Sequence, residues 1–187
     1  MLLYYAEDKE FDNIKRAIKE GAQVNAKNDV GYTALIYTCG MSWGIKPYLN
    51  IAKYLIDHGA KVNVKAKGGF TPLTEACAYG NYEIVKLLLE SGADRSIKGQ
   101  YGTTPLIFGA TCSNWSKDAL KIVKLLIKYG ADINAVDEGS NNALLGIISR
   151  DRFKIEVAKY LIDCGIDLEH VGSFDGTSLT RAAEIRL

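Results

Sequence analysis

Residues able to do acid–base or metal chemistry are scarce in this chain of 187: there are two histidines, His58 and His170, and four cysteines. No His or Cys stands within four residues of another, so the ligand spacing of a structural zinc site is missing. A charge imbalance is missing too. Lys and Arg number 23 against 22 Asp and Glu, net +1, which removes the electrostatic footprint of a nucleic-acid or anionic-membrane binder. No apolar run approaches the roughly 18 residues a membrane span needs. Only three prolines are present and nothing is low-complexity, so no linker divides the chain. The opening Met1-Leu-Leu-Tyr-Tyr-Ala-Glu-Asp-Lys-Glu turns acidic too soon for a secretory leader, and a cytoplasmic location is expected.

Glycine, by contrast, recurs in register. Gly21, Gly59, Gly92, Gly130 and Gly165 are each followed twelve residues later by Thr33, Thr71, Thr104, Asn142 and Thr177. A period of roughly 33 residues marks a repeat architecture. Each recurring position has a physical reason. Thr or Asn accepts an orphan N–H at a helix start, and the prolines of Thr71-Pro72 and Thr104-Pro105 lose no hydrogen bond in the first turn. The recurring Gly suits the left-handed residue that ends a helix. Between them, Ile84, Val85, Leu88 and Leu89 repeat at helical spacing, as do Ile122, Val123, Leu126 and Ile127. No single unit closes a core alone, but stacked units do.

The openings Thr33-Ala-Leu-Ile, Thr71-Pro-Leu-Thr, Thr104-Pro-Leu-Ile, Asn142-Ala-Leu-Leu and Thr177-Ser-Leu-Thr resemble those of the ankyrin-repeat family. The resemblance implies an all-α repeat solenoid of helix-turn-helix units with β-hairpin fingers: four full repeats with partial capping repeats at both ends, in a single domain over 1–187. The divisions are an N-terminal cap at about 1–28, then 29–66, 67–99, 100–137 and 138–172, and a C-terminal partial cap at 173–187. The chain departs from the family where a His follows Leu: Ile36, Thr74, Ile107, Leu145 and Thr180 stand there, so the inter-repeat bond of that His is absent or altered. The turn glycine Gly31, Gly69 and Gly102 becomes Ser140 and Asp175 in the last two units.

The resemblance also implies binding of another protein through the concave face, by the finger tips and the first helix of each unit. Carried over by position, the candidate partner-binding residues are Tyr32, Phe70 and Asn141 before the helix openings, Tyr101 at a tip, and Met41, Tyr79 and Arg150 at first-helix ends. Tyr32 and Phe70 have a second reading, bracing neighbouring fingers. Thr33 to Gly59 and Thr104 to Gly130 each carry five residues more than Thr71 to Gly92, and Asn142 to Gly165 carries two more. The two longer inserts hold the only tryptophans, Trp43 and Trp115, each of which either anchors a partner or folds back as a plug.

Cys39 and Cys77 share a small, packed register with Ala110, and all four thiols are expected to be free. Asn25, Asn63 and Asn134 are expected to bond within their own turns. Gly99-Gln-Tyr-Gly-Thr-Thr lacks the Gly-Lys-Ser/Thr ending of a phosphate loop. The expectation is a non-catalytic, monomeric protein-binding module without cofactor, metal, nucleic acid or membrane. The alternative is a targeting or regulatory segment of a larger enzyme or effector.

Overall fold

Every recurrent helix opening is a hydrogen-bonded cap. Thr33 Oγ1 accepts from the Ile36 N–H at 3.4 Å, Thr71 from Thr74 at 3.1 Å, Thr104 from Ile107 at 3.3 Å and Thr177 from Thr180 at 3.2 Å. Asn142 Oδ1 does the same for Leu145 at 2.9 Å. Thr74 also turns back on its own cap, its hydroxyl accepting from the Thr71 N–H at 2.8 Å and donating to the Thr71 carbonyl at 3.0 Å. The position the family fills with His is thus used here to close the local turn.

The structure, a computed structural model, describes residues 2–7, 10–40, 48–112, 118–148, 154–172, 176–177 and 180. Its helices pair in chain order: α1 (Leu2–Glu7) with α2 (Phe11–Lys19), α3 (Ala34–Gly40) with α4 (Tyr48–Asp57), α5 (Pro72–Ala78) with α6 (Tyr82–Glu90), α7 (Pro105–Thr111) with α8 (Ala119–Lys128), and α9 (Ala143–Ile148) with α10 (Ile155–Asp163). The insertions fall between the helices of a pair, as the spacing predicts. The first helices α1, α3, α5, α7 and α9 stack in one layer, and α4, α6, α8 and α10 in a second. Between the layers Leu35, Leu73, Leu106 and Leu144 meet Ile51, Leu55, Ile84, Leu88, Ile122, Leu126 and Leu161, all almost wholly buried. Burial of each such side chain contributes about 1.5–3 kcal/mol. This continuous apolar seam is the principal stabilising term.

Fingers join the pairs. Each is a tight turn closed across its base by a backbone bond, Asn28 N–H to Tyr32 O at 3.1 Å, Ala66 to Phe70 at 2.8 Å, Gly99 to Thr103 at 2.8 Å and Asp137 to Asn141 at 3.1 Å, with a second backbone bond inside each turn. Among the described residues no strand forms, and the last finger has a single β-bridge, Val171 to Thr177. Adjacent tips are tied directly, by Lys67 N–H to Val30 O and Glu138 N–H to Tyr101 O, both at 2.9 Å. The finger asparagines depart from expectation. Asn25 does not bond its own turn but reaches the next repeat, donating to Gly59 O and accepting from the Lys61 N–H, both at 2.8 Å. Asn63 repeats this with Gly92 O at 3.2 Å and the Asp94 N–H at 2.8 Å. Asn134 accepts from the Asp167 N–H at 2.8 Å. Where the register holds Ser96, the neighbouring Arg95 donates to Gly130 O at 3.3 Å instead. The local turns are closed by aspartates, Asp94 onto Ser96, Asp132 onto Asn134 and Asp167 onto Glu169.

Candidate functional site

The fingers and the first-helix layer share one face, and the sequence-derived candidates are distributed along it. Tyr32 and Phe70 touch across neighbouring fingers, ring centroids 5.9 Å apart, and Tyr32 also packs on Tyr37 at 5.1 Å. Both are half-buried, so bracing takes up part of each ring. Asn141 is held inside its own finger, its backbone and side-chain N–H groups donating to Asp137 Oδ1 at 2.9 and 3.2 Å. Tyr79, at the end of α5, is 41% exposed and Tyr101, at a tip, 70%. Met41, Trp43, Trp115 and Arg150 lie outside the described residues.

Tyr101 has φ +54°, the left-handed region, where the equivalent residue of the preceding finger is Gly68 at +79°. A Tyr held there costs about 1–2 kcal/mol relative to Gly. Its side chain is nonetheless directed to solvent.

The first finger, α3 and α5 enclose a cavity of about 300 Å³ lined by Val30, Tyr32, Ile36, Tyr37, Gly40, Glu75 and Tyr79. Glu75 was not singled out in the sequence, although it is the acidic member of a register otherwise filled by Tyr37, Phe108, Gly146 and Arg181. It is only 7% exposed. No hydrogen bond or ion pair to its carboxyl comes from the described residues, and burial pushes its pKa up to about 7. Gly40 makes room for it, since a Cβ there would run into the Glu75 carboxyl. The Tyr32 phenol is pushed up to about 12, by burial first and then by the Glu75, Tyr79 and Tyr37 charges. The Tyr79 phenol is raised by burial and by Glu75, as is the Cys39 thiol. Tyr37 is fixed by its hydroxyl, which accepts from Asn28 Nδ2 at 2.9 Å. A desolvated carboxyl ringed by aromatic groups can accept strong hydrogen bonds or neutralise a cation.

The four thiols are free as expected: Cys39, Cys77 and Cys112 buried, Cys164 exposed. Each histidine is tied to a backbone carbonyl, His58 Nδ1 to Tyr54 O at 2.8 Å and His170 Nε2 to Ser140 O at 2.7 Å.

The family model for ankyrin repeats in three copies matches residues 2–99 and 46–137. The chain belongs to the ankyrin-repeat family. The match spans α1 to α8, and α9 and α10 continue the same stack, with Asn142 capping α9 where Thr caps α3, α5 and α7. Among curated proteins, none matches the chain. Ankyrin repeats are in general protein–protein interaction modules, and no helix among the described residues is long and apolar enough to cross a membrane.

Proposed function

We propose that this ankyrin-repeat chain holds a protein partner along the face formed by its finger tips and first helices, as a monomer with no catalysis of its own. The observation that carries the reading is Tyr101, a large aromatic side chain kept in a left-handed backbone conformation and turned to solvent at a finger tip. Strain of that kind persists where function requires the side chain. Tyr79 supports it from the same face, and exposed Tyr is a favoured interface anchor. The fingers are already tied to one another, so little ordering entropy is lost when a partner docks.

Site-specific photocrosslinking in cells tests the reading. A benzophenone amino acid is placed at Tyr79 or Tyr101, and, as the contrast, at Lys86 or Lys124 on the second-helix layer. Protein adducts at the first pair but not the second are expected. Adducts confined to Lys86 and Lys124 would place the binding surface on the opposite layer and overturn it.

A further inference from the structure

We propose that the cavity between the first finger, α3 and α5 takes one cationic side chain of the protein partner, with Glu75 as its floor and Tyr32, Tyr37 and Tyr79 as its walls. The proposal rests on the groove reading above and gives it a chemistry. Three observations converge on it. The carboxyl of Glu75 is withdrawn from water without an ion-pair or hydrogen-bond partner among the described residues. It lines an open cavity rather than packed core. The other polar groups around that cavity are phenols, which bring π faces and no positive charge.

A buried, unpaired carboxylate is costly to keep, and the cost is removed only by a proton or a cation. A cation inserted between aromatic rings gains from their negative faces as well, by up to about 2 kcal/mol when desolvated. The volume, about 300 Å³, is at the small end of ligand pockets and fits one side chain better than an extended organic ligand. Gly40 is part of the device. Any larger residue there would displace the carboxyl from its seat. Guanidinium matches the setting better than ammonium. It is more weakly hydrated, meets a carboxylate bidentately and stacks on aromatic rings.

The groups facing Glu75 are Tyr32 from the finger, Tyr37 and Cys39 from α3, and Tyr79 at the end of its own helix. Burial raises the Tyr32 and Tyr79 phenols and the Cys39 thiol, and the Tyr37 hydroxyl accepts from Asn28 Nδ2. Nothing among them competes for an incoming cation.

The test is an amide NMR titration at pH 8 with N-acetyl-argininamide, N-acetyl-lysinamide and the neutral isostere N-acetyl-citrullinamide. The expected result is saturable millimolar binding of the argininamide, with shifts centred on Gly40, Glu75 and Tyr79. Affinity should fall at least tenfold for citrullinamide and in Glu75→Gln, and several-fold in Tyr79→Ala. Binding of the lysine compound with similar affinity would mean a site for any alkyl cation, while preference for arginine would assign guanidinium. Equal binding of citrullinamide, or shifts remote from Glu75, overturns the proposal. So does a carboxyl titration of free Glu75 near 4, which would mean a cation of this chain already sits on it. Crosslinking failure at Tyr79 and Tyr101 with a normal argininamide titration would leave the pocket standing and remove the protein groove. The converse would remove only the pocket.

Discussion

Asn25 grips Lys61 across the boundary between two repeats, accepting its backbone N–H at 2.8 Å while donating to the Gly59 carbonyl at the same distance. Asn63 bridges the next boundary in the same way, and Arg95 substitutes at the one after. These bonds couple neighbouring units in an array whose stability is otherwise the sum of its nearest-neighbour packing.

Asn63→Ala is expected to cost about 1 kcal/mol, the net worth of exposed hydrogen bonds lost to one side chain. Urea unfolding followed by circular dichroism reads this directly. An unchanged midpoint would show that water replaces the bridge without loss.

Two glycines of almost equal φ separate backbone strain from crowding. Gly59 at +87° has nothing near a built Cβ, whereas at Gly69, φ +88°, a Cβ would sit 2.7 Å from the Gly99 carbonyl. Gly59→Ala should cost about 1–2 kcal/mol from left-handed strain alone. Gly69→Ala should cost clearly more, because one finger must move away from the next. Equal thermal shifts for the two variants would contradict the close approach of the fingers.

Tyr101→Gly should raise stability by about 1 kcal/mol through relief of the same strain. It should also weaken crosslinking or affinity for the partner. A variant that is both more stable and fully competent to bind would show that the tip aromatic has no role in binding.

Glu75 gives stability a pH dependence of defined sign. Its pKa is about 7 in the folded chain against an ordinary 4.5. Between those values the folded state holds the extra proton, so stability falls as pH rises through the window and stays reduced above it. The full difference is on the order of 3 kcal/mol. The raised Tyr32, Tyr79 and Cys39 groups remain protonated throughout and do not mask it. Melting temperatures from pH 4.5 to 8 should decline relative to Glu75→Gln, and parallel curves would exclude a desolvated carboxyl.

Thiol reactivity is expected to be selective. Cys39, Cys77 and Cys112 are buried with their pKa values raised by burial, whereas Cys164 is exposed. A disulfide-exchange reagent should titrate one thiol quickly in the native state and four after unfolding. Rapid release of two or more in native buffer would contradict the packing of the first helices.

The periodic features were legible in the sequence because they are local. The Thr and Asn caps, the helix-ending glycines and the inward-facing Ile and Leu residues each announce themselves within one turn of helix, and all appear where the spacing put them. The finger asparagines were misjudged because their partners are about 30 residues away. A side chain that serves a local turn in isolation serves the neighbouring unit once the stack forms. Glu75 was missed for a related reason. A Glu at the fourth position of a short helix looks like a solvated first-turn acid, and only the rings of the preceding repeat make it buried. Tyr101 was recognised as a candidate from its register, but its strained backbone followed from a comparison with Gly68 that needed coordinates.

The backbone bonds from Lys67 to Val30 and from Glu138 to Tyr101 make the finger tips a ruler as well as a surface. Packed helices repeat about every 8–10 Å, and an extended chain advances about 3.3 Å per residue. A partner segment laid straight along the groove would therefore meet successive fingers at about every third residue. With the tips tied, the ruler cannot stretch to suit a different spacing, so a one-residue insertion in such a segment would put the side chains beyond it out of step with the fingers.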